Sequence, residues 1–327
     1  MMIIVSLIYL CTQVHGLKVM VTGAGGRTGK LVFEQLSNDY EDVEPLGLVR
    51  SAKSKNALLK KMKDSDLDET KIITADVTAK DKSLEAAMSG CDAIILCTSA
   101  VPKIKPWSIV KVMFKKLLRK EDVGRPEFSF PENGTPEEVD WLGAKAQIEA
   151  AKAAGVKHFV FVSSMGGTQP DNFLNTIGKV SDGTGGDILL WKRKAEKFLV
   201  ESGLDYTIIH PGGLIDEEPA KREIVVGLDD VLLKLKSRSI PRADVARVCC
   251  AALFDERAKN KSFDIATKPI GEGKPTVHAK DVFGILVLQH PEQSADYSIE
   301  LPEPPSIFAT SSLSSSDSSS QNKEEEL

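Results

Sequence analysis

Short apolar runs alternate with amphipathic stretches along most of this chain. The runs predict strands buried on both faces of a sheet, at Leu17–Val21, Leu46–Val49, Lys71–Ala75, Ala93–Cys97, Phe159–Val162, Tyr206–Ile209 and Ser262–Ile265. Helical spacing of apolar residues predicts helices over Lys30–Leu36, Ser83–Met88, Val139–Ala154, Leu190–Glu201 and Arg242–Phe254, and Lys280–Gln289 could add a last one. This alternation predicts an α/β fold with a doubly wound parallel sheet covered by helices on both faces.

Both ends of the chain differ from the predicted domain, which spans residues 17–290. Residues 1–16 have the short apolar stretch of a secretory leader, with small residues before a possible cleavage after Gly16, although the basic start is missing. The alternative is a retained apolar extension beside the first strand. Residues 291–327 are rich in Pro, Ser and Glu. Such a segment cannot bury a core, so we expect a disordered tail.

An insertion at residues 106–124 carries a second amphipathic pattern. Apolar residues recur at helical spacing on one face, and basic residues share another. The apolar set is Val110, Met113, Phe114 and Leu117, and the basic set is Lys111, Lys115 and Arg119. A basic amphipathic helix over 106–123 is compatible with contact to an anionic membrane surface or to a protein partner. The alternative is a lid helix packed on a substrate lobe.

Composition narrows the function classes. The chain has 327 residues, 42% hydrophobic and 27% charged, with a net charge of -5, which is typical of a globular protein. The absence of a basic excess argues against a nucleic-acid partner. The five cysteines lack metal-ligand spacing, so we expect buried thiols and no metal site. Whether the chain is a monomer or a homodimer stays open.

A glycine-rich loop follows the first predicted strand and precedes the first helix. Its sequence over residues 22–29 is TGAGGRTG, with glycines spaced as GxxGxxG. In this context the first glycine makes a tight turn, the second lets backbone N–H groups approach a pyrophosphate, and the third lets helix and sheet pack closely. We therefore predict a dinucleotide site that uses Gly23, Gly25, Gly26, Arg27, Thr28 and Gly29.

The end of the second strand indicates which dinucleotide is bound. An NAD site usually has an acidic residue there for the ribose 2′-hydroxyl. This chain has Arg50 followed by Ser51 instead. Arg50 can clamp a 2′-phosphate, and Arg27 can approach the same group from the glycine loop. The pattern favours NADP(H) over NAD.

Polar residues follow three further strands at the sheet edge where ligands of such folds bind. Asp76 could accept a hydrogen bond from the adenine amino group with the Val77 N–H beside it, or could cap a turn. The remaining candidates follow the fourth and fifth strands, and they are Thr98, Ser99, Ala100, Ser163 and Ser164.

These segments together resemble the atypical short-chain dehydrogenase/reductase family, in its NAD(P)H-binding, NmrA-like branch. The motifs that carry the resemblance include VTGAGGRTG, GLVRS, ADVT, CTSAVP, WKRKAEKFLVESGLDYTIIHPGG and IPRADVARVCCAAL. Several stretches look especially like small NADP-binding plastid proteins of plants. The resemblance implies a Rossmann sheet of seven or eight strands and a small substrate lobe built from loops. It also implies that Pro211 and Gly212 line the nicotinamide side.

The family's catalytic pair is a Tyr and a Lys in a YxxxK motif, with a Ser that polarises a carbonyl. The resemblance places Lys192 at the lysine, where it could hold the nicotinamide ribose, and Ser164 at the serine. Ile188 then stands where the tyrosine would be, and sliding the motif to Lys194 gives Leu190. Neither side chain can transfer a proton. His210 is a candidate replacement donor, because its ordinary pKa is near 6.5, or a hydrogen-bonded structural residue.

Two functions remain open from the sequence. The first is a reductase of a small carbonyl or quinone-like compound, with the proton supplied by water, His210 or the substrate. The second is a non-catalytic NADP(H) redox sensor or scaffold. The leader-like start and the plastid resemblance together suggest a plastid reached through the endoplasmic reticulum, and the alternatives are the secretory pathway or the cytoplasm.

Overall fold

Twelve strands are present in the part of the chain that the computed structural model describes, residues 16–62, 68–79, 81–118 and 125–309. They include all seven strands predicted from the apolar runs, with bounds shifted by a few residues. The strands are β1 Leu17–Thr22, β2 Val43–Val49, β3 Ile72–Thr74, β4 Ala93–Leu96, β5 Lys103–Ile104, β6 Phe128–Ser129, β7 His158–Val162, β8 Asp205–Pro211, β9 Gly213–Ile215, β10 Ile224–Gly227, β11 Ser239–Pro241 and β12 Lys261–Thr267.

Eight α-helices connect these strands within the described residues. They are α1 Arg27–Asp39, α2 Ala52–Lys61, α3 Ser83–Met88, α4 Pro106–Leu117, α5 Ala144–Ala153, α6 Ile188–Val200, α7 Arg242–Ala252 and α8 Asp281–Gln289. The helix predicted over Val139–Ala154 is divided, because its first part belongs to a π-helical segment, Glu137–Gly143, which precedes α5. The wider π-helical turn buries the polar side chains of Glu137 and Asp140 instead of leaving them in solvent.

The central sheet has eight strands in the order β10-β12-β8-β7-β4-β1-β2-β3. All neighbours are parallel except β10, which pairs antiparallel with β12 at one edge. The chain runs outward from β1 through β2 to β3, and then returns to β4 on the other side of β1. The carboxyl ends of β1 and β4 therefore form the crevice where doubly wound folds bind ligands. This architecture confirms the predicted α/β doubly wound fold.

Helices cover both faces of the sheet, and each face has its own apolar core. Successive residues of β1 alternate between these cores, because side chains of a strand point to opposite faces. Val19 and Val21 pack with residues of α1, α7 and α8, whereas Met20 packs with residues of α3, α5 and α6. All three side chains are fully buried. The two cores hold the sheet between its helices and so keep the carboxyl ends of its strands in position.

The segment after α8 differs from the predicted tail. Residues 291–309 pack on the domain, and Ala295 is buried. The Tyr297 hydroxyl donates a hydrogen bond to Glu196, and the Ile307 N–H donates to Glu137. These polar contacts order a segment that its composition alone assigned to disorder. Residues 1–15 of the predicted leader, insertion residues 119–124 and the Ser-rich residues 310–327 lie outside the described residues.

Candidate dinucleotide and substrate site

The glycine loop has the tight geometry that its spacing predicted. Gly23 adopts a φ of +70°, and a Cβ there would lie 2.9 Å from the Cys97 carbonyl oxygen. A Cβ on Gly29 would collide with the carbonyl oxygen of Gly23. Gly23 needs glycine for its positive φ and its close approach to the end of β4, and Gly29 needs it because a side chain would push α1 away from the loop.

Helix α1 begins at Arg27, directly after this loop. Gly26 is its N-cap residue, and no side chain caps the first turn. Backbone N–H groups at such a helix start can receive an anionic phosphate, and the helix dipole favours one. Arg27 itself pairs with Asp216, which also accepts a hydrogen bond from Arg242 at 2.6 Å. The loop is thus bordered by two guanidinium groups.

Arg50 lies at the carboxyl end of β2, as predicted, and its guanidinium is already oriented. Its Nε donates to Asp76 at 2.8 Å, and one terminal nitrogen donates to the Asn133 carbonyl oxygen at 3.1 Å. The other Asp76 oxygen accepts from the Thr78 N–H and hydroxyl, so Asp76 forms a turn as well as an ion pair. Val77 is buried in the core beneath.

A cavity of about 760 Å³ extends from the glycine loop across the carboxyl ends of the central strands. Among the predicted site residues, its lining includes Thr28, Ser99, Ser163, Ser164, Lys192, Pro211 and Gly212. Much of the remaining wall is apolar and comes from loops and from the start of α6. That wall includes Phe130, Met165, Leu174, Ile177, Ile188, Leu189, Leu214 and Leu233.

Lys192 is the buried cation of this cavity. Its ammonium lies 2.8 Å from a carboxylate oxygen of Asp140, and both side chains are almost fully buried. The other oxygen of Asp140 accepts the Ala100 N–H at 3.0 Å. Thr98 is held close by, because its hydroxyl accepts a hydrogen bond from Gln147. The strand end that contains Thr98 and Ala100 is thereby joined to the lysine of α6.

The structure distinguishes the two possible registers of the lysine motif. Ile188 lines the same cavity as Lys192, one turn earlier on α6. In the other register, Lys194 pairs with Glu303 at 2.6 Å, and Leu190 lies with it in a groove along residues 297–304. Of the two candidate pairs, only Ile188 with Lys192 lines the cavity. An apolar side chain therefore occupies the position of the family's phenol.

His210 is enclosed in a buried polar network next to the cavity. Its Nδ1 lies 3.1 Å from Asp264, and its Nε2 lies 3.2 Å from Glu196. Burial disfavours the charged ring, but the two carboxylates outweigh that effect and raise the pKa of His210 to about 10. Burial also opposes ionisation of Glu196, yet His210, Arg193 and the Ser163 hydroxyl lower its pKa to about 2.

Of the two roles predicted for His210, proton donor or hydrogen-bonded structural residue, this environment favours the second. Both ring nitrogens are engaged by buried carboxylates, and the residue does not contribute to the described lining of the 760 Å³ cavity. An imidazolium with a pKa near 10 gives up its proton poorly at neutral pH. We therefore assign His210 a structural role. Ser164, in contrast, lines the cavity, and its hydroxyl donates to the Met165 carbonyl oxygen at 3.0 Å.

Two residues of this region were missed by the sequence argument. Asp140 was hidden inside a predicted regular helix, where an acidic residue normally faces solvent. Tyr297 was hidden in the predicted tail, although it is the single aromatic residue between 291 and 307. That isolated aromatic in a polar segment was the signal that could have identified an ordered contact.

Comparison with known proteins agrees with this geometry. The sequence model of a family described as NAD(P)H-binding matches residues 23–256. An uncharacterized chloroplastic protein of Arabidopsis thaliana, At2g37660, is 46% identical over 267 residues, covering 82% of this chain and 74% of that protein. Sanguinarine reductase of Eschscholzia californica is 44% identical over 274 residues, covering 82% of this chain and 95% of the enzyme.

The fold recurs in solved structures. A putative NAD-dependent epimerase/dehydratase from Bacillus halodurans superposes with a TM-score of 0.56 at 23% identity, covering 82% of this chain and 99% of that one. This likeness concerns the fold alone. The family match spans the glycine loop, the lysine helix α6 and the sheet between them. The chain belongs to this NAD(P)H-binding family, and its fold is of the Rossmann type.

Proposed function

We propose that this protein is an NADPH-dependent reductase of apolar quinone-like or carbonyl compounds. The observation that carries the proposal is the position of Lys192. Its buried ammonium, held by Asp140, lies in the same cavity as Thr28 of the glycine loop. One cavity thus joins a site for a pyrophosphate to a fixed cation and an apolar wall, which is the arrangement that a bound dinucleotide and a second small molecule need.

The residues at the sheet edge fit a dinucleotide. The loop requires glycine at positions 23 and 29, and the uncapped start of α1 faces the crevice between β1 and β4. In our proposal the loop holds the pyrophosphate, Lys192 holds the nicotinamide ribose, and Pro211 and Gly212 border the ring. When bound, NADPH supplies the hydride for the reaction.

The side chain at position 188 bears on the substrate class. Ile188 cannot donate a proton, and His210 is held between carboxylates, so the site favours substrates that need no positioned acid. A quinone meets this condition, because hydride addition gives a stabilised phenolate that takes its proton from water. Quinone, NADPH and one proton from water thus give hydroquinone and NADP⁺. The apolar wall suits a flat, apolar ring. The similarity to sanguinarine reductase supports a reductase of this kind.

The test is a steady-state assay with purified protein, NADPH and a panel of quinones, enones and aldehydes. We expect NADPH consumption with quinones. Lys192→Met should lower kcat/KM by about 10²-fold, because it removes the fixed cation. Lys197→Met is the matched control, since that lysine is exposed on the same helix. Tight NADPH binding without oxidation of NADPH by any substrate would instead identify a sensor or scaffold.

The preference for NADPH over NADH forms a separate part of the proposal. In our proposal Arg50, oriented by Asp76 and the Asn133 carbonyl oxygen, binds the 2′-phosphate, and Arg27 leaves Asp216 to approach the same group from the glycine loop. Arg50→Ala should weaken NADPH binding by about 10- to 100-fold and leave NADH binding nearly unchanged, as expected for one charge-assisted hydrogen-bond pair. Lys61→Ala, at the far end of α2, is the control. Equal affinity of the wild type for both dinucleotides in calorimetry would overturn this assignment.

We also propose that the protein acts in a plastid. The similarity to a chloroplastic plant protein over 82% of the chain supports this location. The route through the endoplasmic reticulum depends on the leader-like residues 1–16. Fusion of residues 1–40 to a fluorescent reporter tests both statements. Signal in the plastid agrees with them, and a diffuse cytosolic signal contradicts the leader.

A further inference from the structure

Helix α4 lies near the cavity and is mostly exposed in the part of the chain that the structure describes. It lies in the chain between the two strands of the β5–β6 ribbon, where Lys103 pairs with Ser129 and Ile104 with Phe128. Of its twelve residues, Pro106–Leu117, only Ser108 is buried. A lid helix packed on the substrate lobe would bury its apolar face, so the structure does not support that alternative for the described part of the insertion.

The apolar side chains of α4 face away from the protein. At about 100° per residue, Ser108 and the half-buried Val112 mark the side that contacts the domain. The opposite arc is wide and carries only large apolar side chains, all exposed. They are Trp107, Ile109, Val110, Met113, Phe114, Leu117 and Leu118. Trp107 is 84% exposed and Leu117 is 77% exposed.

This arrangement is the reverse of an ordinary surface helix, whose apolar stripe faces the core and whose polar face meets water. Soluble proteins rarely expose contiguous apolar patches of this kind unless another surface covers them. The apolar arc of α4, which we call the outward face, therefore points to an occupant outside this chain's own core.

The charges around the outward face indicate the chemistry of that occupant. Residues 103–118 contain five lysines and no acidic residue. On the helical projection, Lys111 and Lys116 stand at the two borders of the outward face. A second copy of this chain would bring the same lysines together, so like charges disfavour self-association through this face. A surface that is apolar inside and anionic at its boundary matches both features.

We infer that the outward face of α4 binds an anionic lipid surface. Its apolar side chains would enter the boundary between headgroups and acyl chains, and the bordering lysines would meet lipid phosphates. Within the described residues no helix is long and apolar enough to cross a membrane. A twelve-residue helix of about 18 Å is suited to lying in the interface plane.

The position of α4 relates this surface to the cavity. Pro102, just before the β5–β6 ribbon, and Phe130, just after it, both line the 760 Å³ cavity. The segment that presents the outward face therefore also contributes two residues to the lining of the cavity. This inference does not depend on the proposed reductase activity, because lipid binding is measured without any substrate.

The test is co-sedimentation of full-length protein with sucrose-loaded vesicles. Wild type should pellet with vesicles that contain about one third phosphatidylglycerol, and much less with pure phosphatidylcholine. Trp107→Ala with Phe114→Ala should lower the partition coefficient by about tenfold or more through lost apolar contact. Lys111→Gln with Lys116→Gln should lower it by about tenfold, and added salt should have the same direction of effect.

Matched controls distinguish lipid binding by the outward face from non-specific hydrophobic binding. Ile270→Ala with Leu288→Ala removes two exposed apolar side chains elsewhere and should bind as wild type. Trp107 emission should shift to shorter wavelength on anionic vesicles, and Trp107→Phe should abolish the shift. Equal pelleting of all variants overturns the inference. Gel filtration without vesicles provides a second check. If Trp107→Ala with Phe114→Ala changes the oligomeric state, the occupant of the outward face is a second copy of the chain and the inference is overturned.

Discussion

The charge on His210 should make the stability of this protein depend on pH in a defined direction. The ring lies between Glu196 and Asp264, with Arg193 and Tyr297 also contacting Glu196. Burial alone would favour the neutral ring, but the carboxylates raise the pKa of His210 to about 10. An unfolded histidine has a pKa of about 6.5. The folded state therefore binds this proton more tightly than the unfolded state.

The sign and size of the effect follow from that difference. Because the folded pKa is the higher one, the stabilisation is fully present below pH about 6.5 and is lost as pH rises towards 10. Between these limits the free energy of unfolding should fall by about 1.4 kcal/mol per pH unit from this group. The loss between pH 7 and pH 9 is about 3 kcal/mol, on a total on the order of 5 kcal/mol.

Urea unfolding of wild type and of His210→Gln across pH 6 to about 9 measures this contribution. The variant leaves Asp264 without its cationic partner and Glu196 with Arg193 alone, so it should be less stable by about 3–5 kcal/mol near pH 6.5. Titrating groups outside the network are common to both proteins, so the difference between the two curves reports the buried network of His210, Glu196 and Asp264. That difference should shrink steadily as pH rises.

A second measurement covers the case in which the variant does not fold. In the wild type, proton NMR of the histidine rings should show one imidazole that stays charged up to pH about 9. Parallel unfolding curves for the two proteins, or a set of ring signals that all titrate near pH 6.5, would refute a buried imidazolium at His210.

Three further outcomes follow from the geometry. Gly29→Ala should weaken NADPH binding in calorimetry by about tenfold or more, because the new methyl group collides with the Gly23 carbonyl oxygen, and unchanged affinity would contradict the tight loop. Tyr297→Phe removes the hydroxyl that donates to Glu196 at 3.1 Å and should lower the free energy of unfolding by about 1 kcal/mol; equal urea midpoints would argue against an ordered segment there. Cys250 should resist alkylation in the folded protein and react after unfolding, as mass spectrometry of its peptide can show, because burial raises the pKa of its thiol.

Seven of the strands were predictable from the sequence because each depends on a local apolar signal. A parallel strand buried on both faces must be continuously apolar, and all seven such runs in the sequence became strands. The edge strand β10 and the helix α2 lacked that signal. Strand β10 has four residues and pairs antiparallel at the sheet edge, and α2 buries only Leu58, so neither carries a long apolar pattern.

The site was predictable only in its sequence-local part. The glycine loop is built from residues that are adjacent in the chain, so the spacing of its glycines predicted its geometry. The partners of Lys192 and His210 come from other elements and depend on packing. Asp140 reaches Lys192 from a π-helical turn that periodicity cannot distinguish from an α-helix. Asp264 reaches His210 across the sheet from β12. A histidine at a strand end therefore resembled a catalytic group until its neighbours were known.

The segment at 291–309 connects these two sets of partners. At one end Tyr297 contacts Glu196, the carboxylate next to His210. At the other end the Ile307 N–H donates to Glu137, which opens the π-helical turn of Asp140. Helix α6 lies between the two contacts and carries both Glu196 and Lys192. A shift of this segment would therefore change the environment of the buried imidazolium and of the cavity lysine together. Residues 291–309 therefore support the two buried groups indirectly, through their contacts with Glu196 and Glu137.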